Sequence, residues 1–398
     1  EINYRDWSSD VCSSDLNENA EGKTMTASIA EITEPVALIS GPRLRENYRK
    51  LRELAGTDVL AVVKANAYGH GAIEVSRCLA EIGCPFFAVA RFSEAVELRH
   101  AGIETPILVL GRIAAEEAPY AARLRLHVTL FSAEQARQYA SALRSAKRTL
   151  KVHIKIDTGM GRLGQFPVDA PDFIRSLGAF SRLEIAGIYS HLATADNADR
   201  SAAERQTADF QALIQTLEST GDRPPLVHVA NSAAILTLDQ ARAFDLVRAG
   251  IALYGLEPSP DCPLPAGIEP VLSLRTRVIS IRTFPPGSAI GYGGRYVVGT
   301  APEKIAVIAV GYADGFRRVA GNAVLIGGRK LPIVGTVCMD QCMVRVPDEL
   351  PVKEGDEAVL IGRQRGASIS ADDLARLWGT INYEVTSGLS ARVQRVVA

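Results

Sequence analysis

Apolar residues between positions 41 and 256 form short blocks that alternate with helical stretches. Most blocks are continuous, which is typical of strands in a parallel sheet buried on both faces. The eight blocks are VLAVVK (59–64), FFAVA (86–90), ILVLG (107–111), HVTLF (127–131), VHIKID (152–157), IAGIYSHL (185–192), LVHVAN (226–231) and LVRAGIALYG (246–255). The segments between them have helix-forming composition, as in residues 201–220. Eight strand–helix units over residues 41–256 predict an α/β fold, a TIM-type (β/α)8 barrel. The first block is not followed by GxGxxG, which disfavours an open doubly wound sheet.

A second domain is predicted after the barrel. Residues 258–270 contain five prolines and indicate a domain junction. Short β-rich runs separated by Gly and Pro then predict a mainly β domain over 257–398, with one helix at 369–381. Residues 25–40 contain VALIS and are expected to join this domain. Residues 1–23 have no apolar period and lack the features of a signal peptide, so we interpret them as a disordered or non-native leader.

Composition narrows the classes of partner. The net charge is −1, from 44 basic and 45 acidic residues, which disfavours nucleic acid and anionic membranes as partners. The six cysteines form no CxxC pair, so they are expected to be reduced thiols, and no metal site is expected. No apolar run approaches the roughly 18–20 residues of a membrane span. Without a signal peptide, the expected location is the cytoplasm.

Polar residues and glycines gather where the apolar blocks end, and barrel enzymes place their active sites at the carboxyl ends of the strands. Lys64 ends the first block and is followed by Tyr68 in a glycine-bearing loop. A partly desolvated lysine has a lowered pKa and becomes nucleophilic toward an aldehyde. The alternative is a structural lysine that caps the strand. Tyr68 offers a hydroxyl donor for a phosphate.

The loops after the seventh and eighth blocks are where barrels commonly bind phosphate. They contain Ser232, Gly250 and Ile251. Ser232 alone also fits the N-cap of the next helix, a position that can itself bind phosphate. Arg248 and His191 also lie at block ends, but each alone fits a structural ion pair or a hydrogen-bonded core residue.

Three segments of the second domain carry candidate chemistry. AIGYGGRY (289–296) surrounds Tyr292 with glycines and is expected to present its phenol. GYADGF (311–316) fits either a functional loop or a strand followed by a turn. VCMDQCM (337–343) has poor spacing for a thiol–metal site and no nearby histidine.

Seven segments together resemble the signature segments of alanine racemases, in the order that the family has them. They are AVVKANAYGHG (61–71), KIDTGMGRLG (155–164), HLATAD (191–196), ANSAA (230–234), VRAGIALYG (247–255), GYADG (311–315) and GTVCMDQ (335–341). The resemblance runs from about residue 35 to 390. It implies a pyridoxal 5'-phosphate (PLP) barrel followed by a β domain, and a head-to-tail homodimer whose active sites are shared between subunits. It also implies racemisation of alanine, which supplies D-alanine as a peptidoglycan precursor for cell-wall synthesis or serves alanine catabolism.

The resemblance also assigns roles to individual residues. It implies that Lys64 forms the internal aldimine with PLP and acts as the base on one face of the substrate α-carbon, and that Tyr292 of the partner subunit is the base on the other face. It assigns phosphate binding to Tyr68, Ser232, Gly250 and Ile251. It places Arg248 at the pyridine nitrogen with His191 behind it, and Arg162 and the backbone of Met339 at the substrate carboxylate. Lys155 matches a lysine that some members carry as a carbamate, and Ala391 stands where some members have a tyrosine that contacts the phosphate.

Three other functions compete with alanine racemisation. A broad-specificity amino-acid racemase would share all these segments. A PLP barrel decarboxylase acting on a basic amino acid is disfavoured, because it would be expected to place a carboxylate rather than Arg248 at the pyridine nitrogen. A non-catalytic PLP carrier would need neither the β domain nor a second base.

Overall fold

The computed structural model describes residues 34–398. Its strands are β1 (Val36–Ile39), β2 (Asp58–Val62), β3 (Phe86–Val89), β4 (Ile107–Val109), β5 (Leu126–Leu130), β6 (Leu150–Lys155), β7 (Leu183–Tyr189), β8 (Leu226–His228), β9 (Leu246–Ala249), β10 (Leu272–Phe284), β11 (Ala289–Ile290), β12 (Tyr296–Val297), β13 (Glu303–Ile308), β14 (Ala323–Ile326), β15 (Arg329–Val334), β16 (Cys342–Val346), β17 (Glu357–Gln364), β18 (Ala367–Ile369) and β19 (Gln394–Val397). Its helices are α1 (Gly41–Ala55), α2 (Lys64–Tyr68), α3 (Ala72–Ala80), α4 (Phe92–His100), α5 (Ala118–Arg123), α6 (Ala133–Ala142), α7 (Ala170–Ser176), α8 (Ser201–Thr220), α9 (Ser232–Thr237), α10 (Asp239–Arg242), α11 (Ala371–Trp378) and α12 (Asn382–Ser387).

Strands β2 to β9 close into a parallel barrel in sequence order. Each strand pairs in parallel with the next, and β9 returns to pair with β2 through the register Ala61↔Ala249. Each of the eight predicted blocks overlaps one of these strands, so the predicted (β/α)8 barrel is confirmed. An open doubly wound sheet would leave two unpaired edges, and the pairing of β2 with β9 removes them.

Several strands end before their apolar blocks do. Strand β2 ends at Val62, two residues before Lys64, and β7 ends at Tyr189, two residues before His191. The strand ends predicted from the sequence lie too far along the chain, because an apolar block indicates burial but does not indicate an extended backbone. The chain that leaves each strand stays buried as it turns over the mouth of the barrel, and this turn brings both side chains into one space.

Among the described residues, the second sheet has nine strands in the order β18-β17-β14-β15-β16-β13-β10-β1-β19. Strand β1, from the predicted 25–40 segment, pairs antiparallel with β10 and parallel with β19. The mainly β character predicted for the second domain is therefore confirmed. A separate hairpin, β11–β12, carries Tyr292 in its connection. Residues 1–23 and 25–33 lie outside the described part of the chain.

Helix α8 illustrates how the barrel is covered. It spans the segment predicted as helical and buries one face, whose members include Phe210, Leu213, Ile214 and Leu217. The helix ends at Thr220 and is capped by Gly221, whose φ of 77° is accessible to glycine without steric cost. Within residues 34–398, no helix is long and apolar enough to cross a membrane. The same residues contain no cluster of three or more His, Cys, Asp or Glu side chains arranged to hold a metal ion.

Candidate active site

A cavity of about 420 Å³ opens at the carboxyl ends of the barrel strands. It brings together nine of the eleven residues singled out in the sequence: Lys64, Tyr68, Lys155, Arg162, His191, Ser232, Arg248, Gly250 and Ile251. The other two, Tyr292 and Met339, are not among its lining residues. Their side chains are 71% and 52% exposed, on loops of the second domain.

Lys64 begins an unusual left-handed turn. The four residues after it, Ala65, Asn66, Ala67 and Tyr68, have φ between 51° and 54° although none is glycine. Each such residue costs roughly 1–2 kcal/mol, so the surrounding contacts must hold the turn in place. The turn directs both Lys64 and Tyr68 into the cavity, and the Lys64 Nζ lies 5.8 Å from the centre of the Tyr68 ring.

The surroundings of Lys64 favour its neutral, nucleophilic form. Burial, helped by the positive charges of Arg162 and Arg248, lowers the pKa of the Lys64 ammonium group, and only Glu94 opposes this shift. A neutral amine is what attack on an aldehyde requires. The structural alternative, a lysine that merely caps the strand, does not account for its place in the cavity wall.

Ser232 and Gly250 form a compact cradle. The Ser232 Oγ accepts hydrogen bonds from the backbone N–H groups of Gly250 at 2.8 Å and Ala252 at 3.3 Å. Its hydroxyl proton is therefore free to be donated to an anion in the cavity. A Cβ on residue 250 would lie 2.6 Å from the Tyr68 hydroxyl oxygen, so glycine is the residue that leaves Tyr68 in place. The N-cap interpretation of Ser232 is wrong, because Asn231 caps α9 by accepting from the backbone N–H of Ala234.

Arg248 is buried and held entirely by neutral acceptors. Its guanidinium donates to the carbonyls of Ser190, His228 and Val229 and to the Nδ1 atoms of His228 and His191, at 2.8–3.2 Å. Within residues 34–398 no carboxylate forms a salt bridge with it. Burial lowers the pKa of Arg248 to about 10, so it remains charged at neutral pH. The His191 ring therefore lies in hydrogen-bond contact with the Arg248 guanidinium.

Behind Arg248, three imidazoles form a hydrogen-bonded chain through the barrel. The His228 Nε2 lies 3.1 Å from the His153 Nδ1, and the His153 Nε2 lies 3.0 Å from the His127 Nδ1. Arginine can only donate, so the His228 Nδ1 must accept and its Nε2 must carry the proton. The same argument passes along the chain and fixes the tautomer of all three rings. Burial lowers the pKa of each of them.

The three hydrogen-bonded imidazoles predict that the folded protein loses stability at acidic pH. Burial lowers the pKa of His127 to about 4 in the folded protein, against an ordinary 6.5. Between these values the unfolded chain binds the proton and the folded chain does not, so stability falls as pH falls from about 6.5 toward 4. A full shift of this size corresponds to about 3 kcal/mol. His127→Gln is expected to flatten the decline, as measured by urea unfolding at pH 7 and pH 4.5.

His100 provides the control for that measurement, because it is an exposed histidine on α4. The variant His100→Gln should retain the wild-type dependence of stability on pH. Equal slopes for His127→Gln and wild type would show that His127 is not a neutral buried ring.

Lys155 has a buried amine without a hydrogen-bond partner among the described residues. It is 5% exposed, its Nζ has no hydrogen-bond partner, and that atom lies 4.6 Å from the centre of the Tyr189 ring. Burial and the charges of Arg248 and Arg162 lower its pKa well below the ordinary value. A lysine amine whose surroundings favour its neutral form therefore faces the cavity next to two arginines.

Arg162 reaches the cavity from a loop that Asp157 organises. The Asp157 carboxylate accepts hydrogen bonds from the backbone N–H groups of four residues, 159 to 162, at 2.8–3.2 Å. Burial alone would raise the pKa of Asp157, but these donors outweigh it and the pKa is lowered. The loop is therefore held by an ionised carboxylate, and the Arg162 side chain is left free to meet an anionic substrate group.

Tyr292 and Met339 lie on loops of the second domain. The Tyr292 carbonyl accepts from the Thr336 hydroxyl at 3.3 Å, and the Met339 carbonyl accepts from the Ala313 N–H at 3.0 Å. Tyr312, in the same group of loops, is also 44% exposed. These loops present two phenols to the surface of a single chain, and neither phenol lines the cavity that contains Lys64.

Several site residues escaped the sequence analysis. Tyr189 lines the cavity, with Lys155, Arg248 and His228 around its ring. Tyr383 also lines the cavity, 6.0 Å from the Tyr68 ring, whereas Ala391 is exposed and does not. A signal for the imidazole chain existed in Gly187, because a Cβ there would lie 2.5 Å from the His153 Nδ1. A glycine inside a strand indicates close approach by another group.

Comparison with known proteins identifies the family. Family models described as "Alanine racemase, N-terminal domain" and "Alanine racemase, C-terminal domain" match residues 39–258 and 271–397. The chain is 42% identical over 355 residues to an alanine racemase of Symbiobacterium thermophilum, covering 88% of this chain and 94% of that protein. It is 43% identical over 357 residues to an alanine racemase of Geobacillus kaustophilus, covering 88% and 91%.

Solved structures agree with the sequence relatives. An alanine racemase of Clostridium difficile superposes with a TM-score of 0.87 at 36% identity, covering 92% of this chain and 96% of that one. One from Bacillus anthracis with bound L-Ala-P superposes with a TM-score of 0.86 at 39% identity, covering 92% and 95%. With both domain models matched and identity above 40% over most of its length, this chain belongs to the alanine racemase family.

Proposed function

We propose that this chain interconverts L- and D-alanine by a two-base mechanism, with PLP held covalently by Lys64. The observation that carries the proposal is the single cavity in which Lys64, Arg248 and the Ser232–Gly250 cradle meet. An amine of lowered pKa, a buried cation and an anion cradle are the three groups needed to hold an aldehyde, a pyridine nitrogen and a phosphate.

The residues present fit PLP. The cavity is within the usual size range of small-molecule sites. The absence of a Cβ at Gly250 leaves the cradle accessible beside the Tyr68 hydroxyl and the Ser232 Oγ. Tyr68, Ser232, Gly250 and Ile251 would hold the phosphate. Arg248 would donate to the pyridine nitrogen, and because an arginine cannot give up its proton, that nitrogen would stay unprotonated.

When bound, PLP supplies an electron sink that stabilises the carbanion formed at the substrate α-carbon. Lys64 would remove or return the α-proton on one face of that carbon. Tyr292 of the partner subunit would do so on the other face, since racemisation needs a proton donor on each side. Arg162, with the backbone of Met339, would hold the substrate carboxylate. We further propose a homodimer that acts in the cytoplasm.

Lys155 is a candidate for carbamylation. An uncharged amine attacks CO₂ and releases one proton, which leaves an anionic carbamate on the lysine. Here the product would gain acceptor oxygens beside the positive charges of Arg162 and Arg248. The carbamate would thereby fix the Arg162 side chain where the substrate carboxylate binds.

The phosphate cradle gives a direct prediction. Gly250→Ala would place a Cβ 2.6 Å from the Tyr68 hydroxyl oxygen, so Tyr68 must move. We expect the dissociation constant for PLP to rise by roughly tenfold or more, as when a charge-assisted hydrogen bond is lost. Titration of the apoenzyme with PLP measures this. Gly178→Ala is the control, because nothing lies within 4 Å of a Cβ built there, and equal affinities for the two variants would refute the cradle.

The proposed activity is tested with purified protein, PLP and L-alanine in D₂O. We expect deuterium at the α-carbon together with D-alanine. Release of CO₂ from a basic amino acid would instead support a decarboxylase, and exchange in no amino acid would support a non-catalytic carrier. Comparable rates with other small amino acids would support a broad-specificity racemase.

A further inference from the structure

Glu94 joins two consecutive active-site loops through one carboxylate. It lies in the first turn of α4, after β3. Its Oε1 accepts a hydrogen bond from the backbone N–H of Ala65 at 2.6 Å. Its Oε2 accepts from the N–H groups of Ala90 at 2.8 Å and Arg91 at 2.9 Å. Hydrogen bonds to an ionised acceptor are shorter and stronger than those between neutral groups, so Glu94 is a firm bridge between the ends of β2 and β3.

The bridge holds the peptide next to Lys64. Ala65 opens the left-handed turn, whose non-glycine backbone is unfavourable unless its surroundings impose it. At the far end of the turn, the His70 Nδ1 lies 3.0 Å from the Ala67 carbonyl and 3.1 Å from the Tyr68 carbonyl, so it donates to both. At the near end, Glu94 is the side chain that fixes the turn to the barrel.

We propose that Glu94 is a positioning residue for Lys64, acting through the Ala65 N–H to aim the lysine amine into the cavity. The proposal rests on the function proposed above, in which Lys64 captures PLP. It adds a residue that never touches the cofactor, since Glu94 is not among the residues that line the cavity. A lysine whose neighbouring peptide is free to turn would spend less time at the angle that attack on an aldehyde requires.

The hydrogen bond from Ala65 to Glu94 favours capture of PLP, whereas the negative charge of Glu94 favours the protonated, unreactive form of Lys64. Among the charges that act on Lys64, Glu94 raises its pKa, whereas burial, Arg162 and Arg248 lower it. Loss of the carboxylate charge alone would lower that pKa and make the amine available at lower pH. Loss of the bridge would slow capture even when the amine is fully neutral. The two contributions can therefore be separated by measuring capture across pH.

The test is Glu94→Gln, compared with Glu97→Gln. The amide keeps the size of the side chain but has one acceptor oxygen, so in either orientation its NH₂ faces an N–H donor and one arm of the bridge is lost. Glu97 is an exposed residue on the same helix. The first readout is the rate at which each apoenzyme captures PLP covalently across pH. The second is binding of pyridoxine 5'-phosphate, which has the phosphate and the ring but no aldehyde.

We expect the capture rate of Glu94→Gln at its high-pH plateau to fall about tenfold, equivalent to about 1.4 kcal/mol, with its midpoint moved to lower pH. Affinity for pyridoxine 5'-phosphate should match that of Glu97→Gln, whereas the unfolding midpoint should fall below that of Glu97→Gln because one arm of the bridge is lost. An unchanged plateau with only a shifted midpoint would overturn positioning and leave Glu94 as a charge. An equal loss of pyridoxine phosphate affinity would overturn it too, as general loosening. A wild-type apoenzyme that does not capture PLP on Lys64 would instead overturn the proposed function.

Discussion

Lys64→Arg is expected to abolish racemisation, with a fall of more than about 10³-fold in the rate of D-alanine formation. Arginine keeps the positive charge and much of the length, but it stays protonated and cannot act as an amine nucleophile or as a base. The substitution therefore removes both proposed duties of Lys64, the covalent hold on PLP and proton transfer at the α-carbon, the second of which alone contributes roughly 10²–10⁴-fold. Borohydride reduction followed by peptide mapping should find PLP on residue 64 in the wild type and none in the variant.

Lys151→Arg is the matched control. Lys151 lies near the start of β6, at the opposite end of the barrel, and its side chain is 48% exposed. Barrel enzymes use the carboxyl ends of their strands for chemistry, so this variant should keep wild-type activity. Retention of more than a few per cent of activity by Lys64→Arg would refute the assignment of Lys64, whatever the control shows.

The barrel and most of the cavity were predictable because they depend on local pattern. Eight apolar blocks predicted eight strands, and polar residues at the ends of those blocks had to meet once the strands were parallel. The positions of Lys64, Ser232 and Arg248 at the ends of their blocks were enough to place them at the same end of the barrel, without any knowledge of side-chain packing. The pairing of β1 with β19 joins residues about 360 positions apart, and no local pattern in VALIS or in residues 394–397 indicates that partner.

The imidazole chain was not predictable for a different reason. His127, His153 and His228 each lie in an apolar block, where a lone histidine is usually an ordinary core residue. Their contact requires three strands of the closed barrel, and the His153–His228 link passes over β7, where Gly187 provides the space. The left-handed turn after Lys64 was equally hidden, because Ala, Asn and Tyr at positive φ contradict their own preferences and follow only from contacts such as the one with Glu94.

The position of Tyr292 leads to the second large prediction. In one chain this phenol is 71% exposed and does not line the cavity that contains Lys64. If Tyr292 of a partner completes the site, Tyr292→Phe should slow removal of the α-proton from L-alanine by roughly 10²–10⁴-fold. Exchange from D-alanine should persist without inversion, because Lys64 remains to remove and return that proton. Proton NMR in D₂O follows both. Tyr120→Phe, at another exposed tyrosine, should behave as wild type.

Mixing two inactive variants tests whether the phenol acts across the dimer. Lys64→Arg subunits retain Tyr292, and Tyr292→Phe subunits retain Lys64. A mixed dimer then has one site with both native residues and one with both substitutions. Random pairing makes about half of the dimers mixed, with one of two sites intact in each, so about one quarter of wild-type activity should return in a symmetric dimer. If Tyr292 served the cavity of its own chain, every site in the mixture would lack one base and no activity would return. Activity therefore returns on mixing only if Tyr292 of one subunit enters the cavity of the other subunit. In a single chain that cavity has no second base.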